Sequence, residues 1–469
     1  MQPGPLLWTG NRQWIAGPPT GRIVLPRFPR GGERYRSCTT AERSTDGPIH
    51  TGQVATVKTT TLVWSILGAA ALAWGGAGCA GAESRDDSGS GDVAGETGEM
   101  SEEALTQAVG SAAFLPKGNV RSILRGAALF FFEFPGVKGN GRACATCHRP
   151  EDGFGLSPAT AEALYRKTKG RDPLFKSIDA DDGKDDYTSL RTKGLVRVTL
   201  KLPPNVHLAD DPTATSVTVL RAVPPVLNIG LTAPYQQDGR QPNLESQALG
   251  ALHDHSQIQR EPAAKLLSDV AEFQKVLFSS PGMYLVAKAL EKGETPPDPD
   301  PPLSAVEQEG KTLFFNKCSA ACHSGPTGTG SNVGFGQAQN IFVSGPRPPQ
   351  VPFGFKPSTL PVRPYIFTLP DGSIATCPLT QKPEPCPSTD PGIALISGKI
   401  EDFNSFDIPQ LRGLRYTAPY FHDNSAATME EMLEHYTAAF EFLNAVGAPN
   451  IPHLPASDYP ALLAYMKKL

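Results

Sequence analysis

One pentapeptide constrains this chain more than its length or composition does. Cys144-Ala-Thr-Cys147-His148 sets two thiols three positions apart, with an imidazole directly after the second. A second copy, Cys318-Ser-Ala-Ala-Cys322-His323, has one more residue between its cysteines. Arg125-Gly-Ala-Ala-Leu-Phe-Phe-Phe precedes the first copy and Glu309-Gly-Lys-Thr-Leu-Phe-Phe the second. Each reads as a short amphipathic helix with a glycine on one face, leading into a Cys-rich loop.

Two thiols on a short loop can hold a porphyrin by thioethers, while the following histidine turns under the ring and ligates its iron. Cys144, Cys147 and His148 fit that pattern in full. The competing readings are a redox pair, which does not require His148, and half of a zinc site, which needs more ligands nearby. For Cys318, Cys322 and His323 the competing reading is a local disulfide. The shared preceding helix favours a second covalently bound haem c there. Cys377 and Cys386 lie in a Pro-rich loop without histidine and are expected to form a disulfide in an oxidising compartment.

The N-terminal hundred residues are read separately from the fold. All four Trp lie within the first 74 residues, and residues 1–58 carry eight Lys/Arg against three Asp/Glu with no apolar period. That stretch is expected to be an unstructured extension, or to precede the true start. Thr59 to Ala82 is uncharged and ends in small residues around Cys79. A basic flank, a short apolar core and small residues describe a secretory signal over 59–79. Cys79 after Ala-Gly resembles a lipobox, although Gly76 stands where Leu is usual. The alternative is a retained membrane helix. Either sends the rest of the chain out of the cytoplasm, and the lipobox reading places it in the periplasm, lipid-anchored at Cys79. Residues 80–104, rich in acids, Gly and Ser, are expected to be a flexible tether.

With 469 residues the chain exceeds one compact core. Domains are expected over 105–292 and 303–469, joined by a stiff Pro-rich linker at 293–302. Residues 324–400 are Gly- and Pro-rich without clear period and read as an insertion. The fold class expected is mostly α: two tandem cytochrome c-like haem domains with long irregular loops behind a disordered leader. A net charge of −4 gives no argument for nucleic acid, and 39% apolar residues are too few for a polytopic membrane protein.

Further segments carry a family resemblance. Arg221-Ala-Val-Pro-Pro-Val-Leu-Asn228 leads through Tyr235-Gln-Gln-Asp238-Gly-Arg240 to Leu244-Glu-Ser-Gln247-Ala. Later come Phe406-Asp-Ile-Pro-Gln-Leu411-Arg412-Gly-Leu and Ala418-Pro-Tyr420-Phe-His422-Asp423. In this order they resemble the bacterial dihaem cytochrome c peroxidases, a family that includes the MauG-like proteins. The resemblance implies that His148 is the proximal ligand of a peroxidatic iron and His323 that of an electron-transfer iron. It also implies a distal pocket containing Gln247 and, ten positions on, Gln257, where the family has Glu. The family's Trp before Asp-Gly-Arg is Gln237 here. The family's calcium-binding Asn is Ala222, which counts against calcium.

Peroxide reduction needs an open axial position and a group that moves a proton between the two oxygens. Asn243 should cap a helix on which Leu244, Ala248, Ala251, Leu252 and His255 share one face. His255 could thus stand in for the missing carboxylate; the alternative is a packed or surface histidine. His253 falls off that face, and His207 is a further candidate distal ligand. For the sixth ligand of the second iron the candidates are Tyr420, Tyr416, Met429 and Met432, with Tyr420 preferred because it lies in a family motif. The reading is a periplasmic dihaem peroxidase that reduces hydrogen peroxide with electrons from a small cytochrome c or cupredoxin. The alternatives are a non-catalytic electron-transfer cytochrome, or a MauG-like oxidase of a protein or organic substrate. Membrane contact is expected only through the N-terminal anchor, and no nucleic acid partner is expected.

Overall fold

A computed structural model describes residues 6–9, 13–16, 119–319, 322–329, 342–344, 358–448 and 451–469. The signal segment 59–79, Cys79 and the tether 80–104 lie outside the described residues. Within the extension read as unstructured, β1 (Leu6–Thr9) and β2 (Gln13–Ala16) pair antiparallel with Trp8 opposite Trp14. Both segments are rich in aromatic and large apolar residues, which favour strands. Among the described residues no helix is long and apolar enough to cross a membrane.

The body is helix-rich. Its elements are α1 (Val120–Phe131), α2 (Pro158–Thr168), α3 (Thr188–Lys193), β3 (Leu195–Lys201), β4 (Val206–Leu208), β5 (Ser216–Ala222), α4 (Leu244–Asp254), α5 (Ala264–Gln274), α6 (Pro281–Glu291), α7 (Ala305–Phe314), β6 (Arg363–Phe367), β7 (Cys386–Ser388), α8 (Met429–Ala445) and α9 (Tyr459–Met466).

Two helix crossings organise it. In α1 the face Ile123, Leu124, Ala127 and Phe130 is buried, and α1 crosses α5 at Gly126. A Cβ on Gly126 would stand 1.9 Å from the Asp269 carbonyl oxygen, so only glycine permits the approach. In the second unit α7 crosses α9 at Gly310, where a Cβ would stand 1.9 Å from the Ala461 carbonyl oxygen. The repeat seen in the sequence is therefore a repeat of backbone contact. The C-terminal helix packs on the helix that precedes the second Cys motif.

A second repeat launches a helix in each unit. Tyr235 bonds Gln241 through its N–H at 2.7 Å, and Tyr420 bonds Ala426 the same way at 2.7 Å. Gln236 and Phe421 both take φ of 73°. The Asn243 side chain caps α4 by accepting from the Ser246 N–H, and Thr428 caps α8 by accepting from the Glu431 N–H. In this register Gln237 matches His422, Gln247 matches Met432, and Ala251 matches Tyr436.

Described residues of the insertion 324–400 include regular strands. Its β6 pairs with β4 of the first unit and with β7, forming a three-stranded antiparallel sheet. Tyr365 and Phe367 share one apolar cluster with Val198, Val206, Leu208 and Val219 of the first unit. The missing period has a physical cause: β6 and β7 are short and separated by turns, so neither is long enough to show alternation. Cys377 and Cys386 form the expected disulfide, with Cα atoms 5.3 Å apart. The Pro-rich linker is strapped down: Asp300 accepts from the Tyr465 hydroxyl at 2.9 Å and pairs with Lys311 at 2.8 Å and with Arg412.

Candidate functional site

The two Cys motifs close on their histidines by the same backbone bond. Cys144–Cys147 is one helical turn, and the His148 N–H donates to the Cys144 carbonyl at 2.9 Å. In the second motif the His323 N–H donates to the Cys318 carbonyl at 3.4 Å, one residue further along. The backbone there runs as a π-helical turn over Phe315–Ser319, a geometry that accommodates the longer spacing.

Both imidazoles are oriented alike. His148 Nδ1 lies 2.9 Å from the Phe154 carbonyl oxygen, and His323 Nδ1 lies 2.8 Å from that of Gly328. A carbonyl only accepts, so Nδ1 carries the proton in each ring and Nε2 keeps its lone pair. Burial lowers both pKa values; the carbonyls of Phe154 and Pro224 oppose it at His148, and those of Gly328 and Pro409 at His323. A neutral ring with a held Nδ1–H is the form that ligates a metal.

Cys144, Cys147, Cys318 and Cys322 are free thiols. Burial pushes Cys144 and Cys318 up to about 12 and Cys147 up to about 11, and it also raises Cys322. Cys318 and Cys322 do not form the local disulfide. Among the described residues no three His, Cys, Asp or Glu converge on a bare metal ion, so the zinc reading has no ligand set. A thiol pair with a neutral, oriented imidazole fits haem c. In the second unit His323 borders a water-sized void of about 10 Å³, also lined by Phe314, Phe315, Leu411, Arg412 and Tyr465.

The first unit brings α4 against its Cys motif. Leu244, Ala248 and Leu252 are buried, and Gln247 and His255 are half-buried. Among the described residues the Gln247 side chain makes no hydrogen bond. The segment after α4 is zipped to the segment before Cys144. Asn140 Nδ2 and Arg142 Nη1 donate to the His255 carbonyl at 3.0 and 3.3 Å, and the Asn140 N–H donates to the Ser256 carbonyl at 2.9 Å. Arg142 is buried and pairs with Asp179 at 2.7 Å. Burial lowers the His255 pKa, opposed by Asp179 and Asp254, and its charge is felt at His148.

Gln257 lies elsewhere. It is exposed, has a φ of 51°, and its Oε1 accepts from Asn140 Nδ2 at 3.1 Å. It braces the loop before Cys144. Gln237 is half-buried; its Nε2 donates to the Ala222 carbonyl at 3.3 Å and its buried Oε1 has no partner. His207 is the exposed residue of β4, between buried Val206 and Leu208. His253 is exposed and meets Glu261 at 2.8 Å.

In the second unit Tyr420 is buried, its hydroxyl donates to the Leu414 carbonyl at 3.4 Å, and burial pushes it up to about 12. Tyr416 is exposed, and Met429 and Met432 are core. Tyr436 is the tyrosine beside the second motif: its pKa is raised by burial and then by Cys322 and Cys318. Tyr436 is not among the sequence candidates; the register match of Tyr420 with Tyr235 is the signal that points to it. His422 stacks on Phe406 with ring centroids 4.0 Å apart and meets Ser344 Oγ at 3.1 Å, so it braces its loop.

Residues 126–291 match a family model described as di-haem cytochrome c peroxidase. The matched segment holds the first Cys motif and α4 and ends before the second motif. A cytochrome-c peroxidase, IdrP2, of Denitromonas iodatirespirans is 29% identical over 170 residues, covering 36% of this chain and 40% of that protein. A cytochrome c551 peroxidase of Nitrosomonas europaea is 25% identical over 230 residues, covering 45% of this chain and 56% of that protein. The chain thus spans about half the length of these curated relatives. A crystal structure of a MauG-like protein associated with microbial copper homeostasis is 17% identical with a TM-score of 0.42, covering 76% of this chain and 91% of that one. The segment that carries Cys144, Cys147, His148 and α4 is thus similar to the di-haem cytochrome c peroxidase family.

Proposed function

We propose that this chain is an exported dihaem cytochrome c peroxidase, built from two cytochrome c-like units, that reduces hydrogen peroxide to water. Haem c would be held by Cys144, Cys147 and His148 in the first unit and by Cys318, Cys322 and His323 in the second. Bound there, the groups would supply iron that exchanges electrons and, where an axial position stays open, takes peroxide. Electrons would enter at the second unit from a small cytochrome c or cupredoxin and pass to the first. The signal-like segment and Cys79 support a periplasmic, lipid-anchored location.

One observation carries the reading: in matching register, α8 presents Tyr436 beside its Cys motif where α4 presents only the methyl group of Ala251. A phenol could serve as a further iron ligand and a methyl could not, so haem in the second unit would have a ligand candidate that the first unit lacks at the matching position. In the first unit the Gln247 amide would offer a hydrogen-bond donor to peroxide and the His255 imidazole would offer a proton carrier. Arg142 and Asn140 hold the His255 backbone still. Tyr436 in place of methionine also favours a second reading, an oxidase of a protein or organic substrate, because a tyrosine ligand lowers the potential of its iron.

Optical and EPR titration of haem-loaded protein tests the proposal. An open axial position in the oxidised or half-reduced state, lost on adding peroxide, is expected; two closed positions in both states would leave only electron transfer. His255→Ala should lower peroxide turnover about 100-fold or more without loss of haem. Unchanged turnover would remove His255 from the mechanism.

A further inference from the structure

A buried chain of charges runs from the insertion to the loop that launches α4. Arg221, at the end of β5, donates to Asp390 through Nε at 2.6 Å and through Nη2 at 3.0 Å. Its Nη1 donates to Asp238 at 2.5 Å, and Arg240 Nη1 donates to the same Asp238 oxygen at 2.6 Å. Side-chain exposure is 4% for Arg221, 0% for Asp238, 1% for Asp390 and 12% for Arg240. The four charges cancel, and a guanidinium that spends its whole fork on two carboxylates has one orientation.

Three of these residues belong to the first unit; Asp390 comes from beyond β7. Asp390 is itself fixed, since its N–H donates to Ser388 Oγ at 3.0 Å and its Oδ1 accepts from the Gly392 N–H at 2.9 Å. Asp238 and Arg240 sit just before the Asn243 cap, so their position sets where α4 begins. At the far end of α4, Arg240 approaches Asp254 at 4.0 Å, a half-exposed contact of little energy of its own. The other side of His255 is held by Asn140 and Arg142, both local to the first Cys motif. Asp390 is thus the distant anchor of the helix that carries Gln247 and His255.

We propose that Asp390 is a positioning residue: through Arg221 and Asp238 the insertion fixes the start of α4 and, with it, the Gln247 and His255 side chains. This rests on the peroxidase reading for its catalytic consequence, and not for its structural one. Removing the Asp390 charge leaves two buried guanidinium groups on one carboxylate, Asp238, which then reorients.

Hydrogen exchange by mass spectrometry on the full haem-loaded chain tests it. Asp390→Asn should speed exchange over 235–257 roughly tenfold while α1 and α5 keep their wild-type rates. Arg221→Lys keeps the charge, loses the fork, and should show the same local pattern if the first variant does not fold. Peroxide kcat should fall roughly tenfold with the KM for the electron donor unchanged. Exchange that is unchanged, or faster everywhere, overturns the proposal, as does a local rise with wild-type kcat. Wild-type protein without peroxide turnover would defeat the functional reading, and the exchange pattern would still decide the positioning role.

Discussion

The two units share a backbone plan and differ in what they aim at it. Each crosses a helix pair at a glycine, closes a Cys loop on a histidine, and launches a capped helix from a matching loop. The first unit then shows Gln247, Ala251 and His255 along α4, and the second shows Met432, Tyr436 and Phe440 along α8. At these matched positions α4 carries polar and small side chains, and α8 carries apolar side chains and a half-buried phenol.

The comparison breaks most completely at the attachment cysteines. Cys144→Ser with Cys147→Ser should remove one of two haem equivalents and lower peroxide turnover at least 1000-fold, read by pyridine haemochrome and a peroxide assay. The same change at Cys318 and Cys322 should also remove one equivalent, while peroxide still perturbs the remaining optical spectrum. Exchanging the matched helical positions comes next. Ala251→Tyr should close the first pocket and cut turnover about 100-fold, whereas Tyr436→Ala should add a second open axial signal by EPR.

Smaller effects concern stability. Gly126→Ala and Gly310→Ala should each destabilise by about 1–3 kcal/mol in denaturant unfolding, because each methyl meets a carbonyl of the crossing helix. Equal losses would confirm equivalent crossings; a cost at one site alone would break the comparison. Burial pushes the Asp407 carboxyl up to about 6. Its folded pKa lies above the unfolded value, so stability falls as pH rises between the two and stays lowered at pH 7. Asp407→Asn should then stabilise by about 1–2 kcal/mol at pH 7 and by nothing below pH 4, measured by thermal melts across that range.

Much of the site was legible because its parts are local. The Cys–His spacing, the glycine-marked helices, the Asn243 and Thr428 caps and the Cys377–Cys386 pairing each depend on residues within a few turns of one another. The sheet of β4, β6 and β7 was hidden, since its strands are short and lie far apart in the chain. Gln257 was misleading for a related reason. Its spacing from Gln247 matches a family position, yet its left-handed backbone turns it outward onto Asn140.

By itself the sequence determined where two thiol pairs and their histidines sit, which helices precede them and how those helices start. Only the tertiary structure decided that Asn140 and Arg142 hold the His255 carbonyl and that Asp390 reaches Arg221 across the unit boundary. Spacing encodes direction within one helix turn or loop. Distances between segments a hundred residues apart are set by packing, which no local pattern contains.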